Sequence, residues 1–213
     1  MEILEKKLAE RREATKERVA PETLTKMLKA TQNLKNEDVE KRAFNVGDKI
    51  ENSKLLNSLS EEVELVKILD NKPSIISFYR GTWCPYCNLE LAAYNKILQN
   101  KKEVNMIAIS PEKPDSSVDT ANLNFKVFSD INNELAKKLN LAFDITETIE
   151  EVYKGFGIDL EESQGNKDRI LPIPATYIVN SSREIVYAYI DADYTKRAEP
   201  KEVIEKYLEI FNL

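Results

Sequence analysis

Histidine is absent from this 213-residue chain, and cysteine occurs only twice. The first absence removes the imidazole that most often serves as general base near neutral pH. The second rules out a disulfide scaffold, and together they leave any zinc site two soft ligands short. Long apolar runs are missing as well: nothing approaches the ~18 residues a membrane helix needs, the longest runs lying around Ile75–Phe78 and Ile107–Ile109. Membrane insertion is not expected. The opening Met1–Glu10 mixes charge with Leu and Ile and has no basic stretch leading into an apolar one, so the reading predicts a cytoplasmic protein. Lys and Arg are dispersed among Asp and Glu, with a formal net charge of −6, and form no basic stripe to neutralise phosphates, which argues against a nucleic-acid partner. No internal repeat or low-complexity segment is found. With 42% apolar and 32% charged residues, the chain can bury one sizeable core.

Both cysteines fall in one tetrapeptide, Cys84-Pro85-Tyr86-Cys87, between an apolar strand pattern at Ile75–Tyr79 and a helix pattern over Pro85 to about Gln99. Pro85 fits the first helical position, where its missing N–H costs no helical bond, so Cys84 becomes the N-cap. A sulfur there meets unpaired N–H groups and the positive end of the helix dipole, and both favour a thiolate. Cys84 is expected to face solvent and to accept from the Cys87 amide, and Cys87, one turn later, to face inward as the resolving thiol. A structural disulfide or two inert buried thiols are the competing readings; the first would close too short a loop to stabilise much.

Around this motif the pattern divides the chain. Met1 to about Phe44 reads as helices only, with Leu4, Leu8 and Ala9 on one face and, after Pro21, a stripe of Leu24, Met27, Leu28 and Leu34. A redox domain follows over residues 45–213. Ser60-Glu61-Glu62-Val63 opens a short helix ending near Asn71. Ile75–Tyr79, the CxxC helix and the strand Val104–Ser110 make one βαβ unit. Phe125–Phe128 is a third strand, Asn132–Leu139 and Thr146–Tyr153 are helices, and Asp159–Asp168 is a polar loop. Ala175–Val179 and Glu184–Ile190 flank Asn180-Ser181-Ser182-Arg183 as an antiparallel hairpin, and Pro200 opens a last helix over Lys201–Phe211. A βαβ half followed by a ββα half predicts an α/β thioredoxin-like fold: a central mixed sheet with helices on both faces, plus the N-terminal helical extension.

The run Phe78-Tyr79-Arg80-Gly81-Thr82-Trp83-Cys84-Pro85-Tyr86-Cys87-Asn88-Leu89-Glu90-Leu91 resembles the peroxiredoxin-like branch of the alkyl hydroperoxide reductase C/thiol-specific antioxidant (AhpC/TSA) family. Val127-Phe128-Ser129-Asp130, Leu171–Asn180 and the block Asp193–Pro200 are similar to further segments of that family, so the resemblance covers about Val46 to the C-terminus. It implies a thioredoxin-like fold, antioxidant or thiol-disulfide activity, a peroxide or protein-disulfide substrate, a thioredoxin- or glutathione-type electron donor and no cofactor. Where peroxiredoxins carry PxxxTxxC, Cys87 takes the final cysteine, Cys84 the Thr position and Arg80 the Pro position. That alignment would give Cys87 the peroxidatic role. Pro174 stands where the family places an Arg on a later strand, and it resembles the cis-proline that faces CxxC in thioredoxins.

Four further residues are candidates for substrate binding. Arg80 could stabilise a thiolate or a peroxide oxygen, Trp83 and Tyr86 could form an apolar lip over the thiols, and Pro174 could face them. Asp191, Asp193 and Arg197 are read as a charged network that caps and solvates the last helix. Two functions follow: an oxidoreductase cycling Cys84 and Cys87 between dithiol and disulfide, or a non-enzymatic interaction protein docking through its N-terminal helices. The stripe of the extension is expected to pack on its own domain, or on a second copy in a homodimer, rather than on a foreign partner.

Overall fold

The computed structural model describes residues 3–114 and 122–213. Two helices lead, α1 (Leu4–Arg18) and α2 (Pro21–Asn36), and a short α3 (Val39–Arg42) follows. The chain then forms β1 (Lys54–Leu56), β2 (Glu62–Glu64), α4 (Leu65–Leu69) and β3 (Ser74–Phe78). Helix α5 (Pro85–Leu98) links β3 to β4 (Met106–Ser110), and β5 (Lys126–Ser129) comes next. After a 3₁₀ turn at Ile131–Asn133 come α6 (Glu134–Lys138), β6 (Ala142–Asp144), α7 (Glu147–Gly155), α8 (Leu160–Gln164) and β7 (Ile170–Pro172). The hairpin β8 (Ala175–Val179) and β9 (Ile185–Ile190) and helix α9 (Pro200–Phe211) close the fold.

The main sheet has the order β2-β1-β5-β4-β3-β8-β9. Strands β3, β4 and β5 run parallel, as the βαβ reading requires, whereas β8 pairs antiparallel with both β3 and β9. The three central strands β3, β4 and β8 are buried along their whole length, so their apolar residues are shared between two faces by the pleat. Ile76, Phe78, Ile107, Ile109 and Tyr177 point to one face, beneath α4 and α6. Ile75, Met106, Ala108 and Ile178 point to the other, beneath α5, α9 and α1. Helices on both faces of a mixed sheet make the expected thioredoxin-like architecture.

The structure departs from the expectations in the short elements. Ser60–Val63 does not start a helix: Glu62–Glu64 pairs with β1 as an edge strand, and the helix begins only at Leu65. The segment read as a polar loop at 159–168 contains α8, capped by Asp159, whose carboxylate accepts from the Glu162 amide at 3.0 Å. Strands β6 and β7 form a separate two-stranded ribbon that had no expected counterpart. Asp130, in the Ser-Asp segment, accepts from the amides of Leu135 and Ala136 at 2.8 and 2.9 Å and so anchors α6.

The N-terminal helices pack on the rest of the chain. Leu4 and Leu8 are fully buried in the cluster that contains both cysteines, and α1 lies along α5. On α2, Met27 and Ala30 pack against α7, Leu34 packs near Val39 and Ile173, and Leu28 remains exposed. No helix among the described residues is long and apolar enough to cross a membrane.

Candidate active site

Strand β3 ends at the sheet's carboxyl edge and turns through Tyr79-Arg80-Gly81-Thr82-Trp83 into α5. Gly81 has φ +151°, and a Cβ there would meet the Trp83 indole at 2.4 Å and the Glu112 carboxyl at 2.9 Å, so only glycine fits this turn. The turn is fastened to its surroundings. Glu112 accepts from the Thr82 amide at 2.7 Å, Asn88 donates to the Thr82 carbonyl at 2.7 Å, and the Cys84 amide donates to the Gly81 carbonyl at 3.1 Å.

Cys84 is the N-cap of α5 with Pro85 at the first helical position, as expected. The solvent-facing orientation is not observed. Cys84 is 1% and Cys87 0% exposed, because α1 and the neighbouring aromatic rings cover the helix end. Nor does the Cys84 sulfur make the expected cap bond; it accepts instead from the Cys87 thiol, Sγ to Sγ 2.8 Å. Both sulfurs are free thiols. Burial alone would push the Cys84 thiol up, but the bond from Cys87 and the charges of Arg80 and Arg197 overcome it and bring Cys84 down from 9.0 to about 6. The Cys87 amide, short of a cap bond, adds the smallest lowering influence. Burial and the bond it donates to Cys84 push Cys87 well above its usual range. At neutral pH the pair is therefore one thiolate and one thiol.

Two buried arginines supply the positive charge. Arg80 is 2% exposed and has no carboxylate partner among the described residues. Its guanidinium sits 4.2 Å from the ring centre of Tyr194, 4.9 Å from Trp83 and 5.4 Å from Tyr153, and it donates to the Tyr153 hydroxyl. Arg197 comes from the loop before α9. It donates to Cys87 Sγ at 3.1 Å, to Glu90 at 2.5 Å, and to the carbonyls of Tyr194 and Lys196 at 2.5 and 2.6 Å. The sequence reading of Arg197 as a solvated cap is thus corrected: Asp193 shapes the turn by accepting from Thr195, and the arginine points into the site. Glu90 also accepts from Thr176 at 3.3 Å. Burial pushes the Glu90 carboxyl up to about 7, even though the Arg197 guanidinium favours its charged form.

The other candidates separate. Tyr86 is buried, its hydroxyl 3.3 Å from Thr15 on α1 and its ring edge-on to Tyr194, and with Trp83 it borders the space that Cys84 lines. Trp83 is half-buried, tilted against Tyr153, and packs there. No peptide bond among the described residues is cis, so Pro174 is not the cis-proline its position suggested. Pro174 lines a cavity of about 500 Å³ under α2, which Arg80, Tyr153 and Tyr194 also border and Cys84 does not. Cys84 lines a second space of about 400 Å³ between α1 and the Arg80 cage. The sequence reading missed the roles of Glu90, Tyr153, Tyr194 and Arg197. Only Glu90, one turn beyond Cys87 on α5, carried a local signal: a carboxylate on the buried side of a helix.

A mixed sheet of this order, with a cysteine pair capping the helix after its first core strand, places the protein in the thioredoxin-like class of α/β folds. Within that class the chain belongs to the AhpC/TSA family, whose profile matches residues 46–188. No curated protein matches the sequence. Among solved structures, the chain is similar to a peroxiredoxin-like protein from Aquifex aeolicus (17% identity, TM-score 0.61, 79% of this chain and 88% of that one). It is also similar to the peroxidoxin BcpB from Mycobacterium tuberculosis (12%, 0.58, 79% and 97%). A thiol peroxidase from Chromobacterium violaceum shares the fold as well (14%, 0.58, 80% and 89%).

Proposed function

We propose that the protein is a thiol-dependent peroxidase that cycles Cys84 and Cys87 between dithiol and disulfide, with Cys84 as the attacking thiolate and Cys87 as the resolving thiol. The observation that carries this reading is the opposed tuning of the two sulfurs: Cys84 is drawn down to about 6 while Cys87, donating to it at 2.8 Å, is pushed up. In the first step the Cys84 thiolate attacks the peroxide's terminal OH, the O–O bond breaks, that OH stays on sulfur as a sulfenic acid, and the alkoxide or hydroxide that leaves takes up a proton from water. The Cys84 sulfenic acid then reacts with Cys87, releasing water and forming the disulfide. Two electrons from a thiol donor restore the dithiol. Burial of both sulfurs supports a peroxide over a protein disulfide as the oxidising substrate, since a small molecule can use the space beside Cys84 without displacing α1.

A second reading gives Cys87 the peroxidatic role, as the family alignment suggests. The Arg197 guanidinium 3.1 Å from Cys87 Sγ favours it, because such a donor would stabilise charge on that sulfur or on a peroxide oxygen. The single variants separate the two. With Cys84 attacking, Cys87→Ser treated with stoichiometric peroxide accumulates a trappable sulfenic acid on Cys84, and Cys84→Ser reacts at least about 100-fold more slowly. Mass spectrometry after sulfenic-acid trapping reads the position directly. Sulfenic acid on Cys87 in the Cys84→Ser variant, formed at the wild-type rate, would assign the reverse order, and peroxide turnover surviving both single variants would end the proposal.

A further inference from the structure

The space beside Cys84 has a one-sided charge pattern. Arg11, Arg18 and Arg80 line it and no described Asp or Glu does, although the whole chain carries −6. Among the described residues neither Arg11 nor Arg18 makes a side-chain ion pair or hydrogen bond, and Arg11 Nε is buried with no partner. Most other cations on α1 have a carboxylate: Arg12 pairs with Glu5, Lys16 with Glu13 and Lys6 with Glu10.

The helix that carries the two arginines is fixed in place. They lie seven residues apart on one face of α1, about 10 Å along its axis. The helix is held over the site by the buried Leu4 and Leu8, by the Leu4 amide donating to Glu199 at 2.8 Å, and by Arg12 donating to the Thr195 carbonyl at 3.1 Å. A three-residue peptide spans about 10 Å when extended.

We propose that this groove docks a low-molecular-weight thiol carrying two carboxylates, the reductant of the Cys84–Cys87 disulfide, with Arg11 and Arg18 each taking one carboxylate. This rests on the redox reading of the cysteine pair and names its electron donor. The donor's thiolate attacks Cys84 Sγ, the Cys84–Cys87 bond breaks, and Cys87 leaves as a thiolate that takes up a proton. A second donor thiolate then attacks the donor sulfur of the mixed disulfide, releasing the Cys84 thiolate and the oxidised donor. Two electrons pass from two donor thiols to the protein. The steric case agrees with the chemical one, because a small thiol can occupy a space of about 400 Å³ beside a sulfur that α1 shields from a folded protein donor.

The test uses full-length protein oxidised with diamide, so that it does not depend on peroxide reactivity. Reduction of the disulfide by glutathione and by the uncharged 2-mercaptoethanol is followed by thiol titration in the wild type, in Arg11→Gln/Arg18→Gln and in Arg11→Lys/Arg18→Lys. The expected result is a loss of about tenfold in the glutathione rate constant in the Gln pair, an unchanged 2-mercaptoethanol rate, and partial rescue in the Lys pair. Equal rates for glutathione in wild type and Gln pair, or equal losses for both thiols, would overturn the proposal, as would reduction by a thioredoxin-type protein alone. Failure of diamide to form the Cys84–Cys87 disulfide would instead remove the redox reading beneath it.

Discussion

At the residue scale, Arg80 is the cation closest in sequence to the thiols, and its charge is held by aromatic faces rather than by a carboxylate. An ion pair there would cancel much of the field at Cys84, whereas ring quadrupoles compensate desolvation and leave the positive charge available. Replacing Arg80 with Met keeps the packed stem and removes the charge. An opposite charge at such range shifts a titration by about one unit or more, so the alkylation midpoint of Cys84 in Arg80→Met is expected to rise from about 6 towards 9. The rate of iodoacetamide modification as a function of pH, with Cys87 in place and the modified Cys84 peptide followed by mass spectrometry, checks this. An unmoved midpoint would leave Arg197 as the source of the field. Arg197 has the opposite arrangement, tied to Glu90 at 2.5 Å and to two carbonyls, so it orients Cys87 more than it charges the site.

At the element scale, α1 turns a surface-exposed helix cap into a buried one. Leu8 is 0% exposed, and its removal leaves a cavity next to α5. Leu8→Ala is expected to destabilise the protein by about 2–5 kcal/mol, measured by urea denaturation, and to speed Cys84 alkylation under native conditions by loosening the helix that covers it. Destabilisation without faster alkylation would mean that the aromatic cage alone shields the sulfur. The same elements set what could be read from sequence. The central strands were legible because five-residue, largely apolar runs such as Ile75–Tyr79 admit few other structures, and the CxxC cap was legible because it is local. Three-residue edge strands were not: Glu62-Val63-Glu64 follows a helix-start pattern at Ser60-Glu61, and only pairing with β1 decides its state. Leu4 and Leu8 announced a buried face but not its partner, which is why Cys84 was expected in solvent. Arg197 and Tyr153 reach the thiols from loops and helices far along the chain, and no spacing rule connects them to Cys84.

At the scale of the whole molecule, a thiolate held in the folded protein ties redox state to global stability. Cys84 titrates near 6 when folded and near 9.0 when unfolded, so the unfolded chain binds more protons between those values. Its stabilising contribution is therefore complete above pH 9 and disappears as the pH falls through 6. Cys87, raised above 9.0, stays protonated in both states below that value and contributes nothing in this window. Glu90 acts in the other direction: raised to about 7, it stabilises the fold below pH 4.5 and loses that contribution as the pH rises through 7. Comparison with Cys84→Ser largely cancels the Glu90 effect, because Glu90 is present in both proteins. The difference in urea stability between reduced wild type and Cys84→Ser is thus expected to grow with pH from 6 to 9, by at most about 4 kcal/mol. Disulfide formation consumes the thiolate, so the oxidised wild type should lose this slope, and over the same range its reduction should become more favourable relative to that of the same disulfide in the unfolded chain. A flat difference for the reduced protein would mean that Cys84 is not a thiolate in the folded state, and the attacking role would pass to Cys87.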